Sequence, residues 1–315
     1  MKLDKDIASA LAFQREHPGP GIRSMSIAEA RSAYDEAALL FDPHPPEMAR
    51  IDELAVPGAD GKLEARLFVP RDETAEPGLI VWLHGGGWFQ GSQRSHECAC
   101  RRLASASRNR VLAVDYRLAP EHPFPAALDD AASIYRWAHA NADQLGAFPG
   151  RLALGGDSAG ATLALVAGLD AAREGLPPAL VALCYPSLGP EIRSDSRHEL
   201  AEGFGLSADD MDYCFELYLS ADADHADPRI SPLLTPDLHE APPTLVAVAG
   251  FDLLRDEGLA LVGLLEGSGV EVELHDETSL IHGFLRLGGI SAGAATATQR
   301  FGESILASLQ GESDG

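Results

Sequence analysis

Arg151-Leu-Ala-Leu-Gly-Gly-Asp-Ser158-Ala-Gly160 is a short apolar strand that runs without a spacer into Gly-x-Ser-x-Gly. A helix-like segment follows, carrying Ala161, Leu163, Ala164, Leu165 and Ala167. A serine on a sharp strand-to-helix turn has its oxygen pushed out of the sheet, where a substrate can meet it. Gly156 and Gly160 flank that turn, where a side chain would collide with neighbouring backbone. The helix that starts just past Ser158 directs amide N–H groups and the positive end of its dipole at developing negative charge. Taken alone, the pattern also fits a serine that merely caps a helix after a buried strand, so its surroundings have to decide.

Working outward, apolar strands are expected at 79–83, 110–115, 151–155, 180–185, 244–249 and 270–275. Helical stretches separate several of them, notably Ala126 to Ala140, Gly160 to Arg173, Glu257 to Ser268 and Ala294 to Leu309. Strands of this kind alternating with helices argue for a mostly parallel sheet covered on both faces. Ahead of them, Ile51 to Val56 and Lys62 to Val69 alternate around Asp60-Gly61, the pattern of an antiparallel hairpin at a sheet edge. The total is eight strands. Residues 1–48 read as a separate piece, with Ile27 to Leu40 at helical spacing and Asp42-Pro43-His44-Pro45-Pro46 closing it. The interval from Pro186 to about Pro243 is too long for an ordinary connection. It holds a helical stretch, Ser207 to Leu219, and is a candidate lid.

The second chemical signal is His84-Gly85-Gly86-Gly87-Trp88, directly after the strand 79–83. Three consecutive glycines are entropically costly and make sense where backbone N–H groups approach a ligand unobstructed. An acyl-transfer intermediate places negative charge on the former carbonyl oxygen, and such N–H groups stabilise it. The expected donors are Gly86, Gly87 and Ala159. His84 is read as a structural residue that holds the glycine loop. The segment Asp115-Tyr116-Arg117 with Glu121 is read as tying a strand end to the same loop.

A serine hydroxyl needs a base within hydrogen-bond reach, and the base needs an orienting group. In a sheet of this kind the acid and the histidine follow late strands, in the order Ser, Asp, His. Asp252 comes just beyond the strand 244–249. Asp256 and Glu257 open the next helix and are explained as favourable N-terminal charges. His282 lies past the strand 270–275, on a loop, whereas His275 lies within the strand. The assignment is Ser158 as nucleophile, His282 as general base and acid, and Asp252 as the residue that orients the histidine.

Composition adds mainly exclusions. The 315 residues are 45 % hydrophobic, ordinary for a globular chain, and no run approaches the length of a membrane span. The first residues lack the pattern of a signal peptide. Asp and Glu number 48 against 24 Lys and Arg, a net charge of -24, which disfavours nucleic acid and anionic lipid as partners. Four cysteines make no disulfide scaffold, and Cys98 and Cys100 have no second pair at metal-ligand spacing, so no metal is expected. Cytoplasmic residence follows as the default.

Together these motifs resemble the hormone-sensitive-lipase-like branch of the α/β-hydrolases, the bacterial family IV esterases. The resemblance rests on His84-Gly-Gly-Gly-Trp88, Asp115-Tyr-Arg-Leu-Ala-Pro-Glu-His-Pro-Phe-Pro-Ala126, Gly156-Asp-Ser-Ala-Gly160, Tyr185-Pro-Ser187, Asp252-Leu-Leu-Arg-Asp-Glu-Gly258 and His282-Gly-Phe284. It implies an α/β-hydrolase fold over 49–315 and a helical cap built from 1–48 and an insertion at about 188–240. It further implies hydrolysis of short- to medium-chain carboxylic esters, frequent homodimers, and the same nucleophile, acid, base and oxyanion donors. No cofactor is implied. Two departures stand out. Leu253 occupies a position usually held by proline, predicting a looser loop after the acid. The stretch Asp276 to Ile281 lacks the family's usual glycine and aromatic character, which bears on pocket shape. Trp88, Phe89, Phe204, Phe215, Tyr218, Ile281 and Phe284 are candidate pocket walls, and each is equally open to simple core packing. A ligand-binding protein on a hydrolase scaffold and an amidase are the competing readings.

Overall fold

The computed structural model describes residues 2–310. Eight strands form one sheet: β1 (Met48–Gly58), β2 (Gly61–Pro70), β3 (Leu79–Leu83), β4 (Arg110–Val114), β5 (Leu152–Asp157), β6 (Leu180–Cys184), β7 (Thr244–Phe251) and β8 (Val272–Ile281). Their spatial order is β1-β2-β4-β3-β5-β6-β7-β8. Only the β1–β2 and β2–β4 pairings are antiparallel; the others are parallel. The hairpin therefore occupies one edge, as its alternation predicts.

Every residue of β3 and β6 is buried, which is why these strands read as unbroken apolar runs. Alternate side chains serve two cores. Leu79, Val81 and Leu83 point to one face with α4 (Ala126–Ala140), α5 (Ala159–Arg173) and α8 (Arg255–Gly267). Ile80 and Trp82 point to the other, with α3 (Glu97–Ser107) and α9 (Ala292–Gln310). The remaining helices are α1 (Lys5–Glu16) and α2 (Ile27–Phe41) before the sheet, and α6 (Asp195–Glu199) and α7 (Ala208–Tyr218) in the long interval after β6.

Two expectations need correction. The last strand is not confined to 270–275: β8 continues to Ile281, so His282 follows the strand directly. Polar residues are tolerated in its second half because this is an edge strand, and Arg300 of α9 satisfies Glu277 at 2.6 Å. The register shifts between Ala249 and Phe251. There Gly250 lies so close to Thr278 that a Cβ would collide with its carbonyl oxygen. Helices α1, α3 and α6 also escaped the periodicity reading. In α3 the buried face is Cys98, Ala99, Cys100, Leu103, Ala104 and Ala106, mostly small side chains that give a weak apolar signal yet pack closely on α9.

One carboxylate ties the hairpin turn, the strand-end loop and α4 together. Asp130 is fully buried and accepts from Ala59 N (2.9 Å), Arg117 N (3.0 Å) and Arg117 Nε (2.8 Å). Removing it strands a guanidinium and two amides. Asp130→Ala is expected to destabilise the fold by about 3 kcal/mol, lowering Tm by roughly 4–5 °C in a circular-dichroism melt. A Tm unchanged from the parent would show that this carboxylate does not hold the edge.

Candidate active site

Ser158 occupies the junction of β5 and α5 at φ 53°, ψ -120°. That conformation is sparsely populated for a residue with a Cβ and persists only where surroundings enforce it. Its N–H donates to Cys184 O on β6 at 2.9 Å. Gly156 and Gly160 allow the turn to close: a Cβ on Gly156 would lie 2.6 Å from Leu83 O, and one on Gly160 would overlap that same oxygen.

The turn delivers Ser158 Oγ to 2.9 Å from His282 Nε2, and His282 Nδ1 lies 2.8 Å from Asp252 Oδ2. A carboxylate only accepts, so Nδ1 carries the proton and Nε2 presents its lone pair to the serine hydroxyl. Asp252 is buried, and its other oxygen, Oδ1, accepts from Leu254 N at 2.9 Å. The Tyr185 ring lies 4.7 Å from the imidazole, and Phe284 packs edge-on against Tyr185.

The glycine loop is held by a different logic. In a trans peptide the carbonyl and the following N–H point opposite ways. His84 Nδ1 donates to Gly85 O (2.9 Å), which turns Gly86 N–H to the far side. Gly86 O accepts from Phe89 N (3.3 Å) and Gln90 N (3.1 Å), which does the same for Gly87 N–H. Ser158 O accepts from Ala161 N (3.0 Å) inside α5, turning Ala159 N–H off the helix end. Among the described residues none of these three amides has an acceptor. Glycine is needed because Gly86 and Gly87 sit at φ +122° and +60°. A Cβ on Gly87 would also run into Cys214 Sγ of α7.

Sequence reasoning missed several supports. Asp157, inside the serine motif, accepts Gly85 N–H at 3.1 Å and pairs with His96 Nε2 at 3.3 Å. Burial opposes its charge, but His96 and Arg286 outweigh that and hold the carboxyl below its ordinary range. The motif singled out the serine and carried no separate sign of this role; His96 carries none. Arg31 of α2 donates to Phe89 O (2.8 Å) and Ala119 O (2.9 Å) while gripping Glu121. Tyr116 does reach the glycine loop, donating to His84 O at 2.6 Å and stacking on its ring. Arg117 instead binds Asp130, and Glu121 binds Arg31.

Asp256 and Glu257 are more than helix-end charges: Asp256 accepts from Ser196 N (2.8 Å), and buried Glu257 accepts from Leu188 N (2.8 Å) and Arg197 (3.0 Å). Leu253 does not loosen its loop, because its side chain is buried in the core.

Of the candidate pocket residues, Trp88 stacks on Tyr218 at 4.5 Å and meets Phe215 at 5.1 Å. Phe204 faces Phe251 at 5.3 Å, and Ile281 reaches toward Gly205. Phe89 and Phe284 are completely buried, packed on Tyr213 and Tyr185, so they back the site as core residues. Among the described residues no group of three or more His, Cys, Asp or Glu side chains could hold a metal ion.

Burial, and then the neighbouring His96, drive the His84 pKa from 6.5 down to about 3. The folded protein thus keeps this imidazole neutral while an unfolded chain takes up a proton below about pH 6.5. Stability from this source is intact above that pH and is lost as pH falls toward 3, by up to about 1.4 kcal/mol per pH unit. Asparagine at position 84 can still donate but cannot titrate. His84→Asn should therefore lose less stability than the parent between pH 7 and pH 5 in chemical denaturation; parallel losses would refute the neutral, buried histidine.

Comparison with known proteins agrees with this fold. A sequence profile described as alpha/beta hydrolase fold matches residues 80–286. The chain is 42 % identical to the carboxylic ester hydrolase LipN of Mycobacterium tuberculosis, over 98 % of this chain and 83 % of that protein. It is 35 % identical to an ethyl acetate hydrolase of Pseudomonas putida, over 92 % and 94 % of the two chains. Among solved structures, the ester-hydrolase EH1AB1 from the metagenome of Lake Arreo superposes with a TM-score of 0.91 at 35 % identity, covering 96 % of this chain and 98 % of that one. The hyperthermophilic esterase from Pyrobaculum calidifontis gives 0.90 at 33 % identity, covering 97 % and 98 %. The chain belongs to the α/β-hydrolase family, in its hormone-sensitive-lipase-like branch.

Proposed function

We infer that this protein is a serine carboxylesterase that hydrolyses short- to medium-chain carboxylic esters through an acyl-serine intermediate. The observation that carries the reading is the unbroken hydrogen-bond chain Ser158 Oγ–His282–Asp252, at 2.9 and 2.8 Å. The ester carbonyl carbon meets Ser158 Oγ, and His282 Nε2 takes the hydroxyl proton as the bond forms. Gly86, Gly87 and Ala159 N–H receive the oxyanion, each such donor being worth about 3 kcal/mol in the transition state. Asp252 stabilises the imidazolium, which then protonates the departing alcohol. Water, deprotonated by the same nitrogen, attacks the acyl-serine, and collapse of the second oxyanion releases the acid and restores Ser158. The acid leaves as an anion from a protein of net charge -24, whose field favours its departure.

The proposal extends to the architecture around the site. Residues 1–48 and the insertion at about 188–240 act as a cap over a catalytic domain of 49–315. Supporting this, Arg23 between α1 and α2 pairs with Asp209 and Glu216 of α7 at 3.0 and 2.7 Å, joining the two segments. The stack of Trp88, Phe215 and Tyr218 then seats α7 directly behind the glycine loop, and Phe204 and Ile281 flank the histidine side. Among the described residues no helix is long and apolar enough to cross a membrane. Four free cysteines favour a reducing, cytoplasmic setting. A homodimer belongs to the same proposal, supported by the position of β8 at the edge of the sheet, where Leu274 is exposed.

Ser158→Ala is expected to lower kcat on a chromogenic acetate ester by about a millionfold with an unchanged circular-dichroism spectrum. Turnover near the parent rate would place the nucleophile elsewhere. In a series of chromogenic esters from acetate to palmitate, kcat/KM should peak at short or medium chains and fall steeply for the longest. A maximum at palmitate would overturn the substrate class while leaving the reaction intact.

A further inference from the structure

The two oxygens of Asp252 have different partners. Oδ2 meets His282, while Oδ1 accepts Leu254 N–H at 2.9 Å. That N–H belongs to the peptide whose carbonyl is Leu253 O, and Leu253 O accepts the hydroxyl of Ser196 at 2.9 Å. Ser196 is buried, sits in α6 of the insertion, and is 57 residues away in sequence. The carbonyl and N–H of one peptide point opposite ways, so anchoring Leu253 O aims Leu254 N–H at the carboxylate.

We propose that Ser196 is a positioning residue of the catalytic triad: through the Leu253–Leu254 peptide, its hydroxyl holds the Asp252 carboxylate with Oδ2 turned to His282. The proposal rests on the serine-esterase reading above. Hydrogen bonds in series polarise one another, so a donor at the far end strengthens each link toward the histidine. The same hydroxyl oxygen accepts Asp256 N–H at 3.2 Å and faces Ser194 Oγ at 3.3 Å, which leaves its single proton for Leu253 O.

Other bonds between the insertion and this loop serve as tethers. Ser196 N–H binds Asp256 Oδ2, and Arg197 and Leu188 N bind Glu257. Among the described residues, the hydroxyl bond alone links an insertion side chain to the peptide that faces Asp252. A tether and a positioning device predict different kinetics. Loss of a tether loosens the cap and moves KM. Loss of the hydroxyl misaligns the acid and moves kcat.

The test compares Ser196→Ala, Ser196→Thr and Asp256→Ala, assayed on one ester at about pH 8.5. That pH lies above the titration of Glu257, which burial pushes up to about 7. Ser196→Ala should lose about tenfold in kcat with KM within about twofold. In proton NMR, the low-field signal of the His282 Nδ1 proton should shift upfield or broaden. Ser196→Thr, which keeps the hydroxyl, should recover most of kcat and the signal. Asp256→Ala, which keeps the hydroxyl and loses a tether, should leave kcat within about twofold. Parent kcat in Ser196→Ala overturns the proposal, as do identical changes in Ser196→Ala and Asp256→Ala. Should the alanine variant be poorly folded, Ser196→Val, which matches the threonine variant in shape but has no hydroxyl, decides the matter: parent kcat there overturns it equally. Parent protein and Ser158→Ala are assayed alongside. An inactive parent or an active Ser158→Ala sinks the esterase reading itself; when both behave as expected, the outcome concerns Ser196 alone.

Discussion

A backbone N–H can be aimed only by fixing the carbonyl on the other side of its peptide plane, and this site depends on that constraint throughout. Gly86 N–H is aimed by His84 gripping Gly85 O, Gly87 N–H by the tight turn that closes on Gly86 O, and Ala159 N–H by the first turn of α5 closing on Ser158 O. Each amide is then left without a protein acceptor, at a cost of about 1–3 kcal/mol if no water replaces it. That cost is the physical form of preorganisation. On the proposed mechanism the donors are held where charge will appear, so little reorganisation remains for the moment of reaction.

Holding them demands strain as well. Trp88 and Ser158 both sit at positive φ with a full side chain, each costing about 1–3 kcal/mol. The sheet alone does not supply the restraint. Trp88 is clamped by the aromatic stack on α7, Phe89 O by Arg31 of α2, and Gly85 N–H by Asp157, itself paired with His96. Segments that look like a cover over the site are therefore part of what fixes its geometry. Their loss would act on the chemical step as well as on access.

How much of this was legible in the sequence follows from range and burial. Strands such as Leu79–Leu83 are apolar because both faces are covered, and their pattern is local, so sequence reveals them. The second half of β8 is not legible, since at an edge Asp276 to Ser279 are allowed to be polar and their strand identity comes from pairing with β7. The proximity of Ser158, Asp252 and His282 was legible because they stand at or just past strand ends in a fixed order. Arg31, His96 and Ser196 were not. Each acts on a segment 57 or more residues away through a backbone carbonyl or a carboxylate, and such contacts leave no periodicity. Asp157 was visible as a motif letter, but its partner on the glycine loop was not.

Leu253 shows how packing replaces covalent rigidity. Proline, usual in this family at that position, would lock φ through its ring. Leucine removes the lock, and a mobile loop after Asp252 is the natural expectation. Here the side chain is driven into the core beside Leu254, so rotating the loop would return both to water at a cost of about 2 kcal/mol each. The carbonyl meanwhile is bound by Ser196. The loop is thus restrained from both sides of its backbone, one by burial and one by a hydrogen bond. A carboxylate so restrained keeps its orientation without the proline, and the substitution that looks permissive in sequence is structurally constrained.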